Sequence, residues 1–175
     1  IRDAAEDGIF INDDDTVVVD NAINEIGEDG ITISTDAADT NLTDNTVRGA
    51  GREDNSPGIT DSGASTEITD NRIESGDGPG LAIYDAPSSP AVSRNTIQFN
   101  DGWAVTINNT GQVQIDGLTL GTGSEPVTIS GADYKIDDAT KPEANLPAGK
   151  QGIGIYYQTG TNSGSISEIR TSYSG

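Results

Sequence analysis

Cysteine, histidine and methionine are all absent from the 175 residues. Without cysteine there are no disulfides, thiolate metal sites or cysteine nucleophiles. Without histidine the commonest base near neutral pH and the usual zinc ligand are missing as well. Lysine is scarce: Lys135, Lys141 and Lys150 join six arginines against 29 acidic residues, leaving a net charge of −20. Nucleic-acid phosphates and anionic lipid both call for the opposite charge, so neither is expected as a partner. No run of about 18 apolar residues is present, and membrane insertion is not expected. A chain that begins at Ile1 and holds no Met reads as a mature product or as part of a longer polypeptide.

What the chain does have is a repeat. A Gly followed by alternating apolar residues recurs at Gly8-Ile9-Phe10-Ile11, Gly30-Ile31-Thr32-Ile33, Gly58-Ile59, Gly80-Leu81-Ala82-Ile83 and Gly102-Trp103-Ala104-Val105, the glycines standing 22, 28, 22 and 22 residues apart. A second element, apolar-x-x-Asn-x-apolar, spans Val18 to Ile23, Leu42 to Val47, Ile68 to Ile73 and Val92 to Ile97. It returns with Asp116 in place of Asn between Val113 and Leu118. Asn21, Asn45, Asn71, Asn95 and Asp116 advance by 24, 26, 24 and 21 residues, in step with the glycines.

Each repeat therefore holds two or three strands of three to five residues with period-2 alternation, separated by Gly, Asn, Asp, Ser and Pro. Strands this short make poor local hairpins. Pairing each with its counterpart one repeat later satisfies the backbone at about 4.8 Å per coil. The result is an all-β parallel solenoid of about six coils over residues 1–139, with Ile31, Ile59, Leu81 and Trp103 pointing inward. Residues 140–175 lose both registers, contain Pro142 and Pro147, and gather Tyr156, Tyr157 and Tyr173. They are predicted to leave the stack as a capping or assembly segment.

The motif Gly-Ile-x-Ile followed by Asp-Asn-x-Ile resembles right-handed parallel β-helix repeat proteins, a group similar to pectate lyases, polysaccharide epimerases, bacteriophage tailspikes and surface adhesins. The likeness covers roughly residues 7–139 and implies a fold, not an activity. The acidic, lysine-poor composition is similar to that of proteins from halophilic archaea and their viruses. Molar salt, with a screening length of about 3 Å, would remove most of the self-repulsion.

Several residues invite chemistry. The series Asn21, Asn45, Asn71, Asn95 and Asp116 reads as a structural ladder, its amides bonding to one another and to turn backbone while tolerating left-handed φ. Asp13, Asp14 and Asp15 fall beside Asp36 and Asp39 of the next coil, a candidate calcium site, since that ion takes six to eight oxygen ligands. Its spacing matches neither an EF-hand nor a Gly-Gly-x-Gly-x-Asp repeat, and no cofactor is otherwise required. Arg72 and Arg94, one coil apart, and Tyr84 are candidate glycan contacts. In a uronate lyase an arginine beside Asp70 and calcium would remove the proton α to the carboxylate; surface ion pairing is the plainer role. Asn41 and Asn108 head glycosylation sequons that matter only in an exported chain.

Two functions remain. One is a non-catalytic surface module of an extracellular, cell-surface or virion structure, such as a fibre, spike, vertex or adhesin, which assembles with protein partners and attaches to surface glycans. The other is the β-helix portion of a polysaccharide lyase, epimerase or glycoside hydrolase. Tight turns and a stack of about 30 Å favour the module.

Overall fold

The computed structural model describes residues 1–84, 86 and 90–98, and beyond them strand segments within 105–171. The described residues up to 98 form four coils of three short strands. The first holds β1 (Ile9–Ile11), β2 (Val17–Val19) and β3 (Ala22–Asn24). The second holds β4 (Ile31–Ile33), β5 (Asn41–Thr43) and β6 (Thr46–Arg48). The third holds β7 (Ile59–Asp61), β8 (Glu67–Thr69) and β9 (Arg72–Glu74), and the fourth β10 (Leu81–Tyr84), β11 (Ala91–Ser93) and β12 (Thr96–Gln98).

Three residues cannot hold an isolated strand, so every strand is fixed by its neighbours above and below. All pairings are parallel and in register, as in the line Ile9, Ile31, Ile59, Leu81. Three sheets result: a first through β1, β4, β7 and β10, a second through β2, β5, β8 and β11, and a third through β3, β6, β9 and β12. No described residue is helical.

Alternation puts four side chains of each coil inside. Ile31, Ile33, Leu42 and Val47 of the second coil are buried above Ile59, Ile68 and Ile73 of the third, and these above Leu81, Ile83, Val92 and Ile97 of the fourth. Each buried aliphatic side chain contributes about 1.5–3 kcal/mol, which is what holds strands of this length. Ile31, Ile59 and Leu81 thus point inward as the sequence predicts; Trp103 lies outside the described residues. Ile and Val, which fill most inward positions, are also good strand formers, so local preference and packing agree.

The glycine register has a steric cause. A Cβ on Gly8 would stand 2.6 Å from the Gly30 carbonyl oxygen, one on Gly30 2.5 Å from that of Gly58, and one on Gly58 2.8 Å from that of Gly80. Each of these carbonyls accepts the N–H that opens the first-sheet strand of the coil before it, at 3.0–3.1 Å. The segment between Val47 and Gly58, which lengthens the Gly30–Gly58 spacing to 28 residues, is bonded to its neighbouring coils. Gly51, Arg52 and Glu53 donate their N–H groups to Glu28, Ile26 and Gly27 of the preceding coil, and Gly78 of the next coil leaves no room for a Cβ against the Asn55 carbonyl.

The described strands beyond residue 98 extend the same sheets. They are β13 (Val105–Asn108), β14 (Gln114–Asp116), β15 (Thr119–Leu120), β16 (Thr128–Ser130), β17 (Gly154–Tyr157), β18 (Ser165–Ser167) and β19 (Arg170–Thr171). The first three pair with β10, β11 and β12. The last three pair in turn with β13, β14 and β15, and β17 lies between β13 and β16. The strands at 154–157, 165–167 and 170–171 therefore pair in parallel along all three sheets. Parallel pairing needs only alternation and edge access, and Gly154-Ile155-Tyr156-Tyr157 supplies alternation without the motif.

Candidate functional site

The polar residues are best understood from the corners they occupy. A coil must bend three times, and at each bend one residue takes a left-handed φ. Between the first and second sheets these are Asp15 (φ 54), Asp39 (φ 52) and Ser65 (φ 54). Between the second and third they are Asp20 (φ 56), Asp44 (φ 55), Asp70 (φ 57) and Arg94 (φ 54). After the third sheet they are Glu25 (φ 58), Gly49 (φ 66) and Ser75 (φ 58). Asp is one of the few side chains that tolerates this region, so part of the acidic excess is backbone geometry repeated at the first two corners.

Next to the second corner runs the ladder. Asn21 N–H and Nδ2 donate to Asn45 Oδ1 at 3.0 and 3.1 Å. Asn45 donates in the same way to Asn71 Oδ1 at 2.9 and 3.0 Å, and Asn71 to Asn95 Oδ1 at 2.9 and 3.0 Å. The amides also donate across the bend, Asn45 to the Val18 carbonyl at 2.8 Å, Asn71 to Leu42 at 2.9 Å and Asn95 to Ile68 at 2.7 Å. The left-handed residue is not the asparagine, as the sequence had suggested, but the Asp or Arg just before it. Asp116 pairs through its strand with Ser93, and its side chain lies outside the described residues.

The five carboxylates considered for calcium divide between turn roles. Asp15 and Asp39 are the corner residues above, Asp14 Oδ1 accepts the Ala38 N–H at 2.8 Å, and the Asp13 carbonyl accepts the Thr16 hydroxyl at 2.9 Å. Asp36 donates its N–H to Ser34 Oγ at 3.2 Å. Among the described residues no three acidic groups converge into a metal cradle. If Asp39 acts through its backbone, Asp39→Gly should leave the melting temperature within about 2 °C of wild type with or without calcium. Asp39→Val should cost about 1–2 kcal/mol, because a β-branched residue resists positive φ; thermal melts of both variants check this.

Arg72 and Arg94 are both engaged. Arg94 grips Asp70 with two bonds, Nε to Oδ1 at 2.9 Å and Nη2 to Oδ2 at 2.6 Å, across one coil. That guanidinium holds the Asp70 carboxyl below the usual carboxylate range. Arg72 Nη2 meets Glu74 Oε2 at 2.6 Å along its own strand. Both pairings hold a guanidinium against a carboxylate. Tyr84 is half-buried, and burial, with a further push from the Asp29 charge, raises its phenol. Asn41 accepts a hydrogen bond from the Thr43 hydroxyl on the outer side of β5, while Asn108 pairs in register with Tyr84.

A carboxylate cluster not singled out in the sequence sits at the third corner. Glu28 is exposed; a partial loss of hydration and the charges of Asp7, Asp54, Glu6 and Asp29 around it raise its carboxyl. Asp29 is also raised, first by burial; Thr32 donates to its Oδ2 at 3.0 Å, and its own N–H is accepted by Asp7 Oδ1 at 3.2 Å.

A family model described as a right handed beta helix region matches residues 1–132. The chain belongs to the right-handed β-helix family. No curated protein and no solved structure matches it.

One residue breaks the interior rule of this β-helix. Asp61 occupies the inward line between Ile33 and Ile83 and is fully buried. It accepts the Thr66 hydroxyl at 2.5 Å and the Gly63 N–H at 3.0 Å, and burial pushes its pKa from 3.8 up to about 6. A raised carboxyl favours folding while protonated: its contribution is full below about pH 4, falls as the pH rises to about 6, and is flat above. Asp61→Asn is therefore expected to flatten stability between pH 4 and 6 relative to wild type and to add about 1–2 kcal/mol at pH 7. Urea melts of both proteins across pH 4–8 measure the difference.

Proposed function

We propose that this β-helix is a non-catalytic module of an extracellular, cell-surface or virion structure, a rigid body for attachment in high salt. The supporting observation is where its polar chemistry goes. Asn ladder, left-handed corners and the Arg94–Asp70 pair all bind coil to coil, while the outward rows carry short polar side chains such as Thr32 and Thr60, or Thr43, Thr69 and Ser93. Such rows make a stiff rod with flat faces, whose Thr and Ser hydroxyls can donate to and accept from the hydroxyls of a surface glycan. Arg72, Arg94 and Tyr84 are the candidate contacts.

The rival is a polysaccharide lyase or hydrolase. Incubation with uronate polymers and calcium, following absorbance of the unsaturated product, is expected to show no turnover. Activity abolished by Arg72→Ala or Arg94→Ala would overturn the module. Glycan-array binding that Tyr84→Ala weakens would support attachment.

Salt dependence follows from a charge of −20 and the mutual repulsion of Glu28 with Asp7, Asp54, Glu6 and Asp29. The melting temperature should rise by roughly 10 °C between 0.1 M and 2 M sodium chloride. A melting temperature insensitive to salt would count against a halophilic setting.

A further inference from the structure

Asp61 opens the corner between the first and second sheets of the third coil. Ile33 and Ile83 stack on it from either side, and Gly63 and Thr66 of the same corner supply its hydrogen bonds. The second and third coils are closely packed here: a Cβ on Gly63 would stand 2.7 Å from Ile33 Cγ2 and 3.0 Å from the Ala37 carbonyl oxygen. Water therefore reaches the carboxyl only when the corner parts. The titratable and charged groups on the elements around it are Asp36 and Asp39 of the second-coil corner, Glu67, Arg72 and Glu74 of the strands that follow, and Tyr84 of β10. Asp36 and Asp39 are exposed, and strand alternation turns the other four away from the core. Among the described residues, an ionised Asp61 thus has hydrogen bonds but no counter-charge.

One coil above Thr66 lies Thr40. The Glu67 N–H donates to the Thr40 carbonyl at 2.8 Å, and both threonines are 1% exposed. Thr66 gives its hydroxyl hydrogen to Asp61, whereas Thr40 Oγ1 is buried without a partner. Such an orphan destabilises a packed interior. A proton on Asp61 supplies the missing bond. The protonated oxygen donates to Thr66 Oγ1, and the Thr66 hydroxyl, which rotates freely, can then turn its own hydrogen to Thr40.

We propose that Asp61, Thr66 and Thr40 form a proton-operated latch between the second and third coils. With the proton, a chain of hydrogen bonds runs from Asp61 through Thr66 to Thr40 and the corner is closed. Without it, a buried charge lacking a counter-ion is relieved by parting the corner. The bonds that yield are those from the Ser62, Ala64 and Glu67 N–H groups to the Ile33, Ala37 and Thr40 carbonyls, at 2.9, 2.9 and 2.8 Å. The closed corner holds the carboxyl at about 6 against 3.8 in water, so opening becomes easier as the pH rises from about 4 to 6 and changes little above that. The latch localises the Asp61 effect to one corner of one coil, and it stands or falls without the attachment reading.

Hydrogen exchange of the full chain, followed by NMR from pH 4 to 7 at constant salt, tests it. The Thr46 and Arg72 N–H groups, which donate at 2.8 Å to the Asn21 and Asn45 carbonyls in the same two coils, are the reference. Dividing the rates of Ser62, Ala64 and Glu67 by theirs removes base catalysis and global unfolding. This ratio is expected to rise at least ten-fold between pH 4 and 7 in the wild type. Asp61→Asn should hold it constant. Thr40→Val, which keeps the shape and removes the hydroxyl, should reduce the rise at least three-fold; a purely structural Thr40 would shift the ratio equally at every pH. A wild-type ratio that does not change with pH overturns the proposal and needs no variant. A rise that Asp61→Asn retains, or one that Thr40→Val leaves intact, overturns it as well.

Discussion

Asn71→Ala is expected to destabilise the protein by roughly 3–5 kcal/mol, lowering the melting temperature by about 10 °C. Asn71 is buried, and its side chain holds both directions of the ladder. Its Oδ1 accepts two bonds from Asn45, at 2.9 and 3.0 Å. Its Nδ2 donates to the Leu42 carbonyl at 2.9 Å, the Thr69 carbonyl at 3.0 Å and Asn95 Oδ1 at 3.0 Å. Truncation leaves the Asn45 N–H and the Leu42 carbonyl without these partners in a dry interior, where each such loss costs about 1–3 kcal/mol, and it adds a small cavity. Asn71→Asp separates the two halves of this account: it keeps an acceptor for Asn45 but turns a carboxylate oxygen toward the Leu42 and Thr69 carbonyls. It should therefore be nearly as damaging at pH 7 and recover in part at acidic pH, where a protonated oxygen can donate. The measurement is a urea or thermal melt of both variants at pH 7 and pH 4. An alanine variant within 1 kcal/mol of wild type would mean that water replaces the ladder.

The ladder and the inward residues are legible in the sequence because each is a side-chain preference repeated at one interval. Ile31, Ile59 and Leu81 share a position after Gly, and Asn45, Asn71 and Asn95 share a turn, so the repeat announces them. What stays hidden depends on backbone geometry that a residue list does not show. The Asp before each Asn bends the chain, yet Asp20, Asp44 and Asp70 look like part of a general acidic excess until their φ values are known. Asp15 and Asp39, candidates for calcium by sequence, likewise do not show in the sequence that each takes a left-handed φ. Asp61 was hidden differently: Gly58-Ile59-Thr60-Asp61 departs from the Ile-x-Ile pattern at one position, and only register with Ile33 and Ile83 shows that the carboxyl lies inside. The strands at residues 154–171 carry neither the Gly nor the Asn signal, so their place beside β13, β14 and β15 follows from pairing alone.

Gly30→Ala should cost roughly 3–5 kcal/mol, although it changes one hydrogen into a methyl group at a position whose φ is not left-handed. The reason is the pitch of the stack. Gly30 opens the first-sheet strand of the second coil, and its added Cβ would stand 2.2 Å from Val47 Cγ1 and 2.5 Å from the Gly58 carbonyl oxygen. A side chain can rotate away; a carbonyl cannot, because the Gly58 oxygen accepts the Ile31 N–H at 3.1 Å and so fixes the spacing between coils. Relief requires the second and third coils to separate at this corner, which lengthens that bond and loosens Ile31 from Ile59 beneath it. Gly49→Ala makes the contrast: its strain comes from φ 66 rather than from backbone contact, the nearest atom to a new Cβ being the Glu25 carboxylate at 3.1 Å. It should cost only about 1 kcal/mol, the usual price of alanine in the left-handed region. If melts rank the two variants in this order, the Gly register that opens each coil is a spacing device; equal losses would make it a matter of backbone freedom instead.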